Sequence, residues 1–272
     1  MKNTTVFMDG SVYSPADPYA TALLMSEEQI EWVGSDAGAR SISDSSTEIY
    51  ELEGSLLTPA FMVGGAYCEY EAEVETLARN ARAAGYGGVT VFCTHDKALQ
   101  FKSKVEAQGL QAFIYARIVN ESDILHLDST IHGIQLVSLS DQSAQLISAA
   151  VERRMKVSID FSQMDDSTKL LSVIEEVPAL VRAKAALRLD GVQTISELAL
   201  KSLSELGISL GFISNAKSCG SCVREAIALG IPVFLGSNTS DASLNLGWEL
   251  ARDFVAQADT LQQISSRSAF NA

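Results

Sequence analysis

From residue 56 onward, short apolar runs alternate with longer amphipathic ones, and no other feature limits the possible folds as strongly. The strand-like runs are Leu56–Val63, Gly88–Thr94, Gln111–Ile118, Gly133–Leu139, Lys156–Phe161, Ala186–Asp190, Ile208–Ile213 and Ile231–Gly236. Between them lie stretches with helical spacing: Glu73–Gly85, Ser143–Arg154, Thr168–Val177, Ile195–Gly207 and Cys222–Gly230. The first of these ends on Gly85, a residue type that terminates helices. Strands separated by helical or long connecting segments predict an α/β fold, a parallel (β/α)8 TIM-like barrel. Val119–Ile131 carries neither period and reads as an irregular loop.

The first 57 residues have a different rhythm. Thr5-Val-Phe-Met ends at Asp9-Gly10, a dipeptide that favours hairpins. Ala20–Met25, Gln29–Gly34 and Glu48–Gly54 follow as short strands, the last with clear alternation. This predicts a small antiparallel, sandwich-like β-subdomain over 1–57, followed by the barrel over 58–272.

Composition removes several function classes. The net charge is −14 and no Lys/Arg-rich run exists, so nucleic acid and anionic membrane surfaces are excluded as partners. No apolar run approaches the roughly 18 residues needed to span a bilayer. Met1–Gly10 has no apolar signal core. Four cysteines in 272 residues do not make a secreted disulfide scaffold. The expected location is cytoplasmic.

Thr5–Pro18, Ile30–Ser35 and Gly54-Ser-Leu-Leu-Thr-Pro-Ala-Phe61 together resemble the opening of metal-dependent amidohydrolases, in particular the amidohydrolase-3 or exoenzyme-regulator-like branch. Gly230–Asn238 is similar to the last barrel strand of that branch, and Ser266–Ala272 to the helix that leads back to its sandwich domain. The resemblance implies a catalytic metal held by residues at barrel strand ends. It puts Gly65 and Tyr67 at the first-strand His-x-His pair and Gln135 at the bridging Lys or Glu. It puts Asp160 at the fifth-strand His, Gly191 at the sixth-strand His, and Asn238 at the eighth-strand Asp, which is both ligand and general base. None of these substitutes restores an imidazole, and Asn238 cannot accept a proton at neutral pH. One carboxylate and an amide fall short of the three or so protein ligands a catalytic zinc needs.

Other residues could still carry chemistry. His95 closes the second barrel strand beside Asp96, either facing the pocket or preceding a helix that Asp96 caps. His126 and His132 lack ligand spacing and receive no role. Asp160, Asp190, Asn238 and His95 are candidate contacts for a small-molecule ligand. Cys219-Gly-Ser-Cys222 has the spacing of half a zinc site or a redox pair, with Cys68 and Cys93 as candidate further thiols. The alternative is a plain Gly-Ser turn, with Cys68 and Cys93 as small core residues.

The expectation is a degenerate amidohydrolase-family protein without metal-dependent hydrolysis and without a cofactor, retained to bind a small molecule or a protein. Two alternatives stand beside it. One is an active hydrolase of carbon–nitrogen bonds other than peptide bonds, using an atypical site. The other is a zinc or thiol-redox protein built on Cys219 and Cys222. Relative to the family pattern, the sequence ends where the C-terminal sandwich strands begin. The N-terminal sheet is then expected to have an open edge, which a homodimer would cover.

Overall fold

The computed structural model describes residues 4–27, 29–162, 167–192, 195–213 and 220–236. The chain divides into two compact units, Met1–Ala60 and Phe61–Ala272.

The first unit contains β1 (Thr4–Met8), β2 (Ser11–Val12), β3 (Ala22–Ser26), β4 (Gln29–Gly34), α1 (Asp36–Ile42), β5 (Glu48–Glu51) and β6 (Leu56–Leu57). Its four-stranded sheet has the order β4-β3-β1-β5, and β2 pairs with β6 in a separate two-stranded sheet. Three expectations are corrected here. Asp9-Gly10 does not close a hairpin, because β1 pairs antiparallel with β3 while β2 pairs with β6. The sheet is mixed, since β1 and β5 run parallel. The unit also contains a helix, α1, whose N-cap Ser35 accepts a hydrogen bond from the Gly38 amide.

The second unit alternates strand and helix: β7 (Met62–Tyr67), α2 (Glu71–Ala83), β8 (Gly88–Thr94), α3 (Ala98–Glu106), β9 (Gln111–Ile118), α4 (Glu121–Leu125) and β10 (Gly133–Leu136). It continues with α5 (Ser143–Glu152), β11 (Lys156–Asp160), α6 (Ser167–Glu176), α7 (Ala179–Ala185), β12 (Arg188–Val192), α8 (Glu197–Leu206), β13 (Ser209–Ile213), α9 (Gly220–Ala228) and β14 (Val233–Gly236). The eight strands pair in strict sequence order from β7 to β14, and β14 curls back close to β7. Every described pairing in this sheet is parallel. This is the nearly closed TIM-like barrel that the alternating runs predict.

Helix α2 shows why the outer layer forms. Its buried residues Val74, Leu77, Ala78 and Ala81 recur at helical spacing and pack on the sheet. Glu73 caps the start by accepting hydrogen bonds from the Glu69 and Tyr70 amides. Two assignments differ from expectation. The first barrel strand starts at Met62, not Leu56, because Pro59 breaks the run and Leu56 and Leu57 pair with β2 instead. The Val119–Ile131 segment holds the short helix α4, closed by a capping box between Asn120 and Asp123.

Candidate functional site

The barrel strands alternate between an apolar outer face and an inner one that carries the buried polar side chains together with rings such as Phe92 and Tyr115. Val89, Val91, Ile134, Val157, Ile159 and Leu189 belong to the core shared with the helices. The residues between them point the other way. Six buried polar side chains result on inward positions of β8 and β10–β12: Thr90, Gln135, Ser158, Asp160, Arg188 and Asp190. The register aligns them in rows. Arg117 lies opposite Gln135, Gln135 opposite Ser158, and Ser158 opposite Arg188. One step nearer the C-terminal strand ends, Asp160 lies opposite Asp190.

Arg188 and Asp190 form a buried ion pair. Arg188 Nε donates to Asp190 Oδ2 at 2.8 Å, and its Nη2 donates to Asp190 Oδ1 and, at 2.7 Å, to the Gly64 carbonyl. Ser158 Oγ donates to the same carboxylate at 2.6 Å. The guanidinium lies 4.9 Å from the Phe234 ring centroid and 5.5 Å from that of Tyr115. Burial opposes the Arg188 charge, but Asp190 and Tyr115 outweigh it and hold the pKa above the ordinary arginine value. Burial also pushes the Tyr115 phenol upward.

Tyr67 stands at the end of β7. Its hydroxyl accepts a hydrogen bond from Gln135 Nε2 at 3.1 Å, and its ring lies 5.0 Å from Phe92 and 6.0 Å from the Arg117 guanidinium. Burial raises its pKa above the ordinary phenol value, and the Asp160 charge adds to the effect. Asp160 Oδ1 accepts from the Ser162 amide at 3.0 Å and from Ser162 Oγ at 2.6 Å. Gln135 Oε1 is fully buried and has no hydrogen-bond partner among the described residues.

Tyr67, Gln135, Asp160 and Asp190 are therefore brought together. Gly65 and Gly191 contribute no side chain to the cluster and leave no room for one. A Cβ on Gly65 would stand 2.6 Å from Phe92 Cε2. Gly191 has φ +78°, and a Cβ there would stand 2.8 Å from the Ser162 Cβ. His95 is not part of the cluster. It is exposed in a single 3₁₀ turn, His95–Lys97. Asp96 is not the N-cap of the helix that follows: that position is Lys97 for α3, and Thr94 for the turn itself. Asn238 and Cys219 lie outside the described residues. Cys222 is buried with its thiol 3.6 Å from the Ile195 carbonyl. Cys68 and Cys93 are buried neighbours on β7's end and β8, and burial pushes both thiols up to about 12.

A metal of the kind the resemblance implies would need imidazoles or several free carboxylates at the strand ends. Here Asp190 is held by Arg188 and Ser158, and Asp160 by Ser162. Among the described residues, no three His, Cys, Asp or Glu side chains group together to hold an ion. The described donor set does not fit such a metal.

Sequence reasoning missed Arg188, Ser158, Arg117 and Tyr115. A signal for the first was present: Arg188-Leu-Asp190 places opposite charges two residues apart, hence on one face of a strand. No comparable signal marks Arg117 or Ser158, whose partners lie on other strands.

The fold recurs among solved hydrolases. An uncharacterised metal-dependent hydrolase from Pyrococcus furiosus superposes with a TM-score of 0.73 at 11% identity, covering 98% of this chain and 92% of that one. Guanine deaminase from C. acetobutylicum with bound guanine gives 0.66 at 12% identity, covering 98% and 84%. Atrazine chlorohydrolase from Arthrobacter aurescens complexed with zinc gives 0.67 at 12% identity, covering 97% and 80%. No family model matches the sequence, and none of the curated proteins matches it. No helix among the described residues is long and apolar enough to cross a membrane. At these identities the likeness is one of fold: the chain has the barrel architecture of these proteins.

Proposed function

We propose that the chain is a degenerate relative of the amidohydrolases that does not carry out metal-dependent hydrolysis and that binds a small molecule at its barrel mouth without a resident metal. One observation carries this reading: at Gly65 and Gly191, where the resemblance expects imidazoles, a Cβ would meet Phe92 and Ser162 at 2.6 and 2.8 Å. Those two positions are packed shut. The neighbouring polar groups bind one another instead, as in the Arg188–Asp190 pair and the Tyr67–Gln135 contact.

The test is metal analysis by mass spectrometry on protein purified without chelator, before and after incubation with zinc. It is paired with turnover assays on amides, ureas and cyclic imides. The expected result is substoichiometric metal and no hydrolysis above buffer. One tightly held zinc per chain, lost together with turnover in Asp160→Asn, would overturn the proposal.

A second reading is hydrolysis of carbon–nitrogen bonds other than peptide bonds by an atypical site. It draws on the fold shared with guanine deaminase and on Asp160, a buried carboxylate at the strand ends. Turnover that survives chelation and disappears in Asp160→Asn would favour it.

A further inference from the structure

We propose that the molecule taken by the barrel mouth is a small dipolar one, with a carboxylate at one end and an ammonium group at the other. The inference rests on the metal-free binding site proposed above and names the ligand's chemistry.

Three side chains on consecutive strands carry it. Arg117 on β9 is half-buried over the Tyr67 ring, and no carboxylate among the described residues pairs with it. Asp160 on β11 is buried and accepts hydrogen bonds from Ser162, a neutral partner. Arg188 on the adjacent strand is already committed to Asp190. Gln135 on β10 sits between the two, in register with Arg117, and its fully buried Oε1 lacks a donor among the described residues. Its amide nitrogen is engaged by Tyr67, so the oxygen is the free end.

The mouth thus offers a cation and an anion, each without an opposite charge among the described residues, on strands separated by one neighbour. Adjacent strands lie about 4.8 Å apart, so the two charges stand on strands roughly 10 Å apart. An unpaired charge at a partly dehydrated site is costly, and an opposite charge offsets that cost. A simple anion drawn to Arg117 would also meet the Asp160 charge. A simple amine drawn to Asp160 would also meet Arg117. A molecule carrying both groups satisfies both residues. The planar guanidinium favours a carboxylate, which it can hold bidentately.

The experiment titrates the full chain with glycine, β-alanine and γ-aminobutyrate, with propionate and propylamine as single-charge controls, read by ligand-observed NMR. At least one amino carboxylate is expected to bind at least about tenfold more tightly than either control, a difference of about 1.4 kcal/mol. Arg117→Met should remove the advantage over propylamine, and Asp160→Asn the advantage over propionate. Arg117→Lys should retain part of the affinity, and circular dichroism confirms that each variant is folded. Two outcomes would overturn the inference: folded wild-type protein that binds no amino carboxylate more tightly than the controls, or Arg117→Met with unchanged preference. Metal analysis on the same preparation separates the two proposals. Stoichiometric zinc with turnover defeats the metal-free reading, whereas zinc-free protein that ignores amino carboxylates defeats the ligand assignment alone.

Discussion

Phe92 occupies the space that a side chain on Gly65 would need: its Cε2 atom lies 2.6 Å from where a Cβ would stand. The ring is fully buried and packs between Tyr67 and Tyr115, at 5.0 and 5.6 Å between centroids. It cannot step aside without disturbing both neighbours. The lack of a side chain at Gly65 and the stacking of aromatics across β7–β9 are thus one packing solution.

Gly65→His should therefore destabilise the barrel without creating a metal site. Overpacking of a filled interior costs about 1–3 kcal/mol. The check is thermal unfolding with and without zinc. A variant that melts at the wild-type temperature and gains several degrees on adding zinc would show the space to be adaptable.

The ion pair offers a second test. Asp190→Leu leaves Arg188 buried without its carboxylate, and breaking a buried pair on one side costs about 3–5 kcal/mol. Replacing both residues with apolar ones of similar size should cost much less than the sum of the single changes. Denaturant unfolding of the two single variants and the double variant closes the cycle. Strict additivity would mean the pair contributes no coupling.

How much of this was readable beforehand depended on which forces act along the chain and which across it. Helix α2 was legible because its apolar spacing and its Glu73 cap are local. The barrel strands were legible as apolar runs, but their inner and outer faces were not. Both faces are buried, so Thr90 and Phe92 look no different from Val89 and Val91 until the sheet closes. Helix α1 was missed because it is short and buries only Ala39. That the resemblance expects imidazoles at Gly65 and Gly191 was visible in the sequence. What fills the space beside these glycines was not, since Phe92 and Ser162 come from other segments of the chain.

Tyr67→Phe should be costly for its size. The hydroxyl is the acceptor for Gln135 Nε2, and Gln135 Oε1 already lacks a partner. Removing the hydroxyl would leave the fully buried amide with neither end satisfied, a penalty of about 1–3 kcal/mol. Tyr67→Phe with Gln135→Leu should recover part of the loss, because the polar group and its demand vanish together. Urea midpoints at equal m-value report the comparison.

Alkaline pH supplies the last test. Cys68 and Cys93 are neighbouring buried thiols, pushed from the ordinary 9.0 up to about 12 by burial. Once unfolded, each would lose its proton near 9.0, so the folded state is the one that keeps the protons. The resulting stabilisation is complete below pH 9 and is lost as pH climbs towards 12. The buried Tyr67 phenol, also raised, acts in the same direction. Unfolding midpoints should fall steadily across that window, and less steeply in Cys93→Ala. At neutral pH the same protonation makes Cys68 and Cys93 poor nucleophiles. A thiol reagent should leave both unmodified in native protein and label them only after denaturation. Rapid native labelling of either, located by peptide mass, would show that β7 and β8 open far more readily than their burial implies.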